Sequence, residues 1–278
     1  MIQQLILAAC CCMILCGFNG CSQPDTTSKS TPNPLDTLAE QIKFDESTSD
    51  SMKQVILARI NKNYLQGKFD PSKDDRFIQI PNEYCQKSMF MRKEALEAFK
   101  EMHKHAKRDS IHFKIVSATR PFSIQKSIWE AKWQGRRKVD GLLLDPSVTD
   151  SLSRALKILR WSSMPGTSRH HWGTDIDLNN LEPSYWDKGQ GKKEYDWLVK
   201  HAQQYGFCQV YSTMDDSRPY GYQEEKWHWS YIPIAAALTQ AYADSIANKE
   251  ITGFDGHTTA QKIDMVKKYV LGINSDCL

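Results

Sequence analysis

The chain has 278 residues, of which 25% are charged and 40% apolar, and its formal net charge is +3. These values are typical of a globular protein with a substantial core. Lys and Arg alternate with Asp and Glu through most of the sequence, so the charge pattern argues against a nucleic-acid partner.

The N-terminal segment differs from the rest of the chain, since no charged side chain precedes Asp25. Residues 5–18 form an apolar run of signal-peptide length, too short to span a membrane as a helix. Gly20 and Cys21 follow this run, and the arrangement resembles the lipobox of bacterial lipoproteins. The resemblance implies cleavage before Cys21, lipidation of its sulfur, and a lipid anchor in a membrane of the cell envelope. A plain secretory signal is the alternative, and in either case we predict that residues 1–20 direct export.

Residues 21–51 are predicted to be the lipidated cysteine and a flexible tether rich in Ser, Thr and Pro. Folded sequence is predicted to begin near residue 52. If the signal peptide is removed and Cys21 is the anchor, three cysteines remain: Cys85, Cys208 and Cys277. They have no C-x-x-C spacing, so a thiolate metal site is not expected. They allow at most one internal disulfide, and the sequence leaves the pair open.

The folded part shows helical and strand patterns in alternation. Residues 92–107 place apolar side chains at helical spacing, and residues 193–205 do the same before Gly206. Strand patterns cover residues 110–117, 173–178, 207–211 and 227–232. Helical patterns continue from residue 234 to Gly272. Because no regular β-α-β alternation is present, we predict an α+β fold, with a small antiparallel sheet flanked by helices.

Four residues in two segments suggest a metal site: His170, Asp177, Glu225 and His228. Two imidazoles and one carboxylate can hold a catalytic zinc ion and leave a fourth position open for water. Glu225 precedes His228 by three residues, which suits a base that reaches the water without binding the metal. Asp175 shares a strand face with Asp177 and is the alternative carboxylate ligand.

The residues around these four carry a resemblance to a known family. The segment Ser168-x-His170-x-x-Gly173 to Asp177, followed by Glu225-x-Trp227-His228, resembles the VanY-type D-alanyl-D-alanine carboxypeptidases. These zinc peptidases trim peptidoglycan stem peptides. The resemblance extends upstream to residues 117–120 with Gln125, and it covers roughly residues 85–235.

Carried over by position, the resemblance implies one Zn²⁺ ion bound by His170, Asp177 and His228, with Glu225 as the general base. Arg120 would bind the substrate carboxylate or the oxyanion of the tetrahedral intermediate, because a guanidinium makes paired hydrogen bonds to such groups. The resemblance also implies a fold of the hedgehog and D-Ala-D-Ala-peptidase type, with the zinc site at the sheet.

Further expectations concern the substrate and the edges of the domain. Ser168 and Gln125 are candidates for hydrogen bonds to the substrate, a peptidoglycan stem peptide. We predict a peptidase domain at residues 52–238, a C-terminal helical segment at residues 239–278, and a monomer. The sequence departs from the family pattern at Asp175, where a small residue is common, and at Lys226, where proline is common.

Other functions of the same fold remain open. The chain is predicted to hydrolyse the terminal D-Ala-D-Ala bond by attack of zinc-bound water. The alternatives are a peptidoglycan L,D-endopeptidase, a D-Ala-D-Ala dipeptidase, and a non-catalytic zinc domain that binds peptidoglycan. Glu225 argues against the last, because a purely structural zinc site does not need a base beside an open position.

Overall fold

The computed structural model describes Ser51, residues 54–55, residues 57–145, Ser147 and residues 150–278. The predicted signal peptide and Cys21 lie outside this part of the chain, as does nearly all of the predicted tether. In the part that the structure describes, no helix has both the length and the apolar character needed to cross a membrane.

The described residues combine seven α-helices with two small antiparallel sheets. The helices are α1 (Lys62–Leu65), α2 (Lys93–Arg108), α3 (Phe122–Trp133), α4 (Ser151–Ile158), α5 (Gly189–His201), α6 (Ile232–Ser245) and α7 (Thr259–Ile263). The strands are β1 (Phe77–Gln79), β2 (Phe90–Arg92), β3 (Ile115–Ser117), β4 (Asp175–Leu178), β5 (Phe207–Gln209) and β6 (His228–Tyr231). Short helical turns occur at Pro71–Lys73, Arg169–Trp172, Pro183–Asp187, Ala202–Tyr205, Asn248–Glu250, Val266–Val270 and Ser275–Cys277.

The main sheet has four strands in the order β3-β4-β6-β5, and each neighbouring pair is antiparallel. Strands β1 and β2 form a separate two-stranded sheet. The predicted α+β fold with a small antiparallel sheet is therefore confirmed. Its two central strands, β4 and β6, carry two of the three predicted metal ligands, Asp177 and His228.

Several elements differ in length from their predictions, and each of β4, β5 and β6 is shorter than its predicted range. The predicted strand at residues 110–117 is paired in the main sheet only from Ile115 onward, because Ser110 has a left-handed backbone with φ 60° and Lys114 donates its N–H to the Asn179 side chain. Helix α5 begins at Gly189, four residues before the predicted start. It ends at His201, where a 3-10 turn continues to Tyr205.

Strand β4 separates the apolar core from the predicted metal site. Ile176 and Leu178 are fully buried in one hydrophobic cluster, together with side chains of α2 such as Leu96 and Phe99. Asp175 alternates with them along the strand, so its side chain projects to the other face, as predicted. The sheet thus has one apolar face and one face that carries carboxylates.

The C-terminal segment packs into the same core as the rest of the described chain. Ile251, Phe254 and Val270 belong to the hydrophobic cluster that contains Trp172. A disulfide joins Cys208 of β5 to Cys277, and Cys85 is free and buried. The structure therefore identifies the cysteine pair that the sequence left open.

Candidate metal centre and cleft

Strand pairing brings Asp177 and His228 together. In the β4–β6 ladder, Asp177 lies directly opposite His228, although the two residues are about fifty positions apart in the sequence. Side chains directly opposite each other on one face of an antiparallel pair have close Cβ atoms. The distance from Asp177 Oδ1 to His228 Nδ1 is 3.1 Å.

His170 lies beside Asp177 and His228, and its position comes from a 3-10 turn, Arg169–Trp172, that precedes β4. The turn ends at Gly173, whose φ of 76° is in the left-handed region. A Cβ at this position would lie 2.3 Å from the ring of Phe77, so only glycine fits both the backbone and the space. Gly173 thus makes the tight connection that sets His170 beside the start of the strand.

The three side chains converge on one point. Their ligand atoms lie within 4.8 Å of one another, and all three residues are buried. His170 Nδ1 donates to the carbonyl of Ala118 at 2.8 Å, so Nε2 is the free ring nitrogen, 3.3 Å from Asp177 Oδ2. No hydrogen bond within the described residues satisfies this buried Nε2. Two imidazole nitrogens and a carboxylate in this arrangement fit a divalent metal ion.

Asp175 contacts Nε2 of His228, the ring nitrogen on the side away from Asp177. Its Oδ2 lies 2.9 Å from His228 Nε2 and 3.1 Å from Nε of Arg169. Hydroxyl groups of Ser230 and Thr174 donate to its other oxygen. The His228 Nε2–H therefore donates to Asp175, and Nδ1 faces the metal-ligand cluster. A carboxylate behind a ligand histidine fixes its tautomer and orientation in metal sites.

The carboxylates also set the charge of His228. Burial lowers the pKa of His228, but its hydrogen bonds to Asp175, Asp177 and Glu225 outweigh burial and raise the pKa well above the usual value. Burial raises the pKa of Asp177, while His170 and His228 lower it, and the net pKa is well below the usual value. The carboxylates around His228 thus favour its protonated form, and His170 and His228 favour the ionised form of Asp177.

Replacing Asp175 with Asn is expected to weaken metal binding by about 10- to 100-fold, because the substitution removes the charged partner that orients His228. It also leaves the fully buried Arg169 without its ion pair, which we expect to cost about 3–5 kcal/mol of unfolding free energy. Competition with a chromophoric chelator measures the first effect, and chemical denaturation measures the second.

The matched control for this variant is Asp187→Asn. Asp187 pairs with Lys226 at 2.8 Å, but its side chain is 61% exposed. We expect this control to change the unfolding free energy by less than about 0.5 kcal/mol. Unchanged metal affinity in Asp175→Asn would show that His228 is oriented without this carboxylate.

Glu225 lies beside the cluster without joining it. A tight turn, in which the His228 N–H donates to the Glu225 carbonyl at 3.2 Å, brings both side chains to the same side. Glu225 Oε2 is 3.4 Å from His228 Nδ1. Burial raises the pKa of Glu225, and the nearby Asp177 charge adds to this against the opposing effects of His228 and Arg120. A carboxylate with a raised pKa is suited to accept and then return a proton.

The backbone of Arg120 is hydrogen-bonded to both histidines of the Arg169–Trp172 turn, His170 and His171. Its N–H donates to the His170 carbonyl at 3.0 Å, and its carbonyl accepts from His171 Nδ1 at 2.5 Å. His171 Nε2 in turn accepts from the Gly166 N–H at 3.0 Å. Burial lowers the pKa of His171 to about 3, so the ring is neutral. The neutral ring of His171 thus holds the Arg120 backbone in place.

These groups line one cleft of about 580 Å³. Arg120, Gln125 and Glu225 line it together with the three residues of the metal cluster. Gln125 donates to the Ser163 carbonyl at 2.7 Å, and its Oε1 has no partner among the described residues. Ser168 is buried, and the residues that line the cleft do not include it.

Two tryptophans form part of the cleft wall. Trp161 and Trp227 both line the cleft and stack with ring centroids 6.0 Å apart. Trp172 and Trp229 belong to the core instead, with their ring N–H groups bonded to backbone carbonyls. Of these four tryptophans, Trp161 and Trp227 therefore line the cleft.

Sequence reasoning missed two features of the site. It considered Asp175 as a rival metal ligand, whereas the structure places this carboxylate between His228 and Arg169. It also gave no role to Lys132, which lines the cleft from α3. The departure from the family pattern at Asp175 was the available signal for the role of this carboxylate. No pattern in the sequence indicated that Lys132 lies in the cleft.

Comparison with known proteins gives a family match. The model of the D-alanyl-D-alanine carboxypeptidase family VanY matches residues 88–234, just over half of the chain. The putative carboxypeptidase YodJ of Bacillus subtilis (strain 168) is 28% identical over 234 residues, which cover 77% of this chain and 75% of that protein. A D-alanyl-D-alanine carboxypeptidase of Enterococcus faecalis is 31% identical over 90 residues, covering 32% of this chain and 31% of that protein.

Similar solved structures include VanYB in complex with D-alanine-D-alanine. It is 21% identical, covers 64% of this chain and 88% of its own, and has a TM-score of 0.45. A mutant of the vancomycin-resistance D,D-pentapeptidase VanY in complex with Zn(II) is also 21% identical, covers 66% and 93% of the two chains, and has a TM-score of 0.44.

Proposed function

Because the chain belongs to the VanY family of D-alanyl-D-alanine carboxypeptidases, we propose that it is a zinc-dependent carboxypeptidase of peptidoglycan. In this proposal the enzyme hydrolyses the terminal D-Ala-D-Ala bond of stem peptides. The observation that carries the proposal is the convergence of a metal-ligand cluster, a buried carboxylate and a cationic side chain in one cleft.

His170, Asp177 and His228 would hold one Zn²⁺ ion, through His170 Nε2, a carboxylate oxygen and His228 Nδ1. This set has the two-histidine, one-carboxylate composition of catalytic zinc sites. When bound, the metal supplies Lewis acidity: it lowers the pKa of water and polarises a carbonyl group. Asp175 and the Ala118 carbonyl hold the two imidazoles in the tautomers that this role requires.

Glu225 is the proposed general base. It accepts the proton of the attacking water and then donates it to the nitrogen of the departing D-alanine. Its buried position raises its pKa, which helps the same carboxylate take up a proton and release it again. No covalent bond between enzyme and substrate forms in this scheme.

Arg120 is the proposed electrostatic partner of the developing oxyanion. Its guanidinium lines the cleft, and its buried Nε has no hydrogen-bond partner among the described residues. Hydrogen-bond donors held in place before the reaction stabilise developing negative charge without reorganising. Gln125 Oε1 is a candidate acceptor for a backbone N–H of the peptide, and Ser168 stays a weaker candidate because it does not line the cleft.

The proposal includes where the enzyme acts. Residues 1–20 would be a signal peptide, Cys21 would carry the lipid anchor, and residues 21–51 would tether the enzyme to a membrane of the cell envelope. The catalytic domain would be residues 52–238, with residues 239–278 packed against it, acting as a monomer. These assignments rest on the sequence, and metabolic labelling with a fatty acid would test the anchor at Cys21.

Product analysis tests the proposed reaction. Incubation with a stem pentapeptide ending in D-Ala-D-Ala is expected to release free D-alanine and a tetrapeptide, identified by mass spectrometry. The matched control is the same peptide ending in L-Ala-L-Ala, which should remain intact. Release of the dipeptide D-Ala-D-Ala or cleavage after L-Ala would support one of the alternative peptidases. Bound metal without any cleavage would support a binding module.

A further inference from the structure

Lys132 is a buried cation that faces the cleft. It lies in the last turn of α3, is 8% exposed, and lines the same cleft as Arg120 and Glu225. Its Nζ donates to Ser162 Oγ at 2.5 Å. Among the described residues, no carboxylate lies within ion-pair distance of this ammonium group. On the same helix, by contrast, Lys126 forms an ion pair with Glu130 at 3.7 Å.

An ammonium group in such a position is destabilising unless something compensates its charge. Burial, together with the nearby charges of Arg137 and Arg120, lowers the pKa of Lys132 to about 8 against the opposing effects of Glu225 and Asp140. The group thus loses hydration and is repelled by neighbouring cations. An anion that enters the cleft would relieve both costs, because it would supply the missing opposite charge.

Arg120 and Lys132 lie at different places relative to the metal cluster. The Arg120 backbone is bonded directly to His170, and its charge affects the pKa of both His170 and Glu225. Lys132 is held instead by Ser162, on the side of the cleft where Gln125 is bonded to Ser163. Two cations in separate positions can bind two negative groups at once.

We propose that Lys132, positioned by Ser162, binds the free terminal carboxylate of the substrate. This inference rests on the proposed function, since the residue released by a carboxypeptidase always carries such a carboxylate. Arg120 is then free to stabilise the oxyanion. A peptide that lacks the terminal carboxylate would leave Lys132 unpaired in the complex. Lys132 is therefore the residue that makes the enzyme prefer chain ends.

The test compares two peptides and three variants of the full-length enzyme. One peptide ends in D-Ala-D-Ala with a free carboxylate, and the other ends in the corresponding amide. For the free acid, Lys132→Met is expected to raise KM by about 10- to 100-fold, the usual effect of losing a hydrogen bond to a charged group. For the amide, which wild type should bind poorly, KM should change by less than about threefold. Lys132→Arg should recover part of the preference, because it keeps the charge.

Lys126→Met is the matched control on the same helix, and it should leave both KM values unchanged. Melting temperatures of all variants accompany the kinetics. Lys132→Met should be at least as stable as wild type, because it removes a buried charge that has no carboxylate partner. A loss of activity through misfolding would therefore be visible as a lower melting temperature.

The outcomes separate the inference from the proposed function. If wild type hydrolyses the free acid and Lys132→Met keeps the full preference for it, the role of Lys132 is wrong and the proposed function stands. If wild type cleaves the amide as well as the acid, no carboxylate is recognised, and an endopeptidase is favoured. If wild type cleaves neither peptide, the proposed function fails and the inference fails with it.

Discussion

Replacing Glu225 with Gln is expected to lower kcat on a D-Ala-D-Ala peptide by about 10²- to 10⁴-fold, the usual contribution of general acid–base catalysis. Gln has nearly the same shape as Glu and can still accept a hydrogen bond, but it cannot take a proton from water at neutral pH. Since Glu225 is 3.4 Å from His228 Nδ1 and outside the group of metal ligands, the variant should bind as much zinc as wild type. Metal analysis and steady-state kinetics on one preparation measure both quantities.

The neighbouring residue provides the control for this experiment. Glu224 accepts from the Thr213 hydroxyl at 3.1 Å and does not line the cleft. Glu224→Gln removes the same charge one residue away and should keep kcat within about twofold of wild type. Near-normal turnover in Glu225→Gln would rule out this carboxylate as the base. Loss of zinc together with activity would instead make Glu225 part of the metal site.

Removing the metal is expected to lower turnover by more than about a thousandfold, because water loses the large shift of its pKa toward neutrality that a catalytic metal provides. The residues around the site are expected to lower the remaining turnover of the metal-free protein further. The carboxylates raise the pKa of His228, whose Nδ1 lies 3.4 Å from Glu225 Oε2, so in the metal-free protein this ring is expected to compete with water for the proposed base. Dialysis against a chelator, followed by metal analysis and an activity assay, measures the effect.

Adding one equivalent of Zn²⁺ should restore activity, whereas Mg²⁺ should not, because imidazole nitrogens favour zinc over magnesium. The fold should survive metal removal, since β4 and β6 are paired by backbone hydrogen bonds and His170 is held by the Ala118 carbonyl. Circular dichroism should therefore change little, while the melting temperature falls as bound metal is lost. Full activity at a metal content near zero would contradict a metal-dependent mechanism.

Local patterns in the sequence predicted much of the fold. The amphipathic spacing of Leu96, Phe99 and Met102 predicted helix α2 within one residue of its bounds. The alternation of Ile176 and Leu178 with aspartates correctly predicted the two faces of β4. Strand lengths were less predictable, because pairing in a sheet depends on the partner strand as much as on the segment itself.

The candidate site was also largely predictable, through residue types and the family resemblance. His170, Asp177, Glu225 and His228 were selected before their positions were known, and the structure brings them together. The resemblance did not reveal the contact of Asp175 with His228 and Arg169, because the family pattern has a small residue there. The register of β4 against β6 brings these groups together across about fifty residues of sequence.

The sequence by itself determined the α+β class and the residue types of the metal cluster, and it predicted the base and the export of the chain. These depend on residue type and short spacing, which are local properties. Only the tertiary structure decided that Cys208 pairs with Cys277, that Asp175 is hydrogen-bonded to His228, and that Lys132 lies in the cleft. Each of these depends on contacts between distant segments, and such contacts form only when the sheet and its helices pack together.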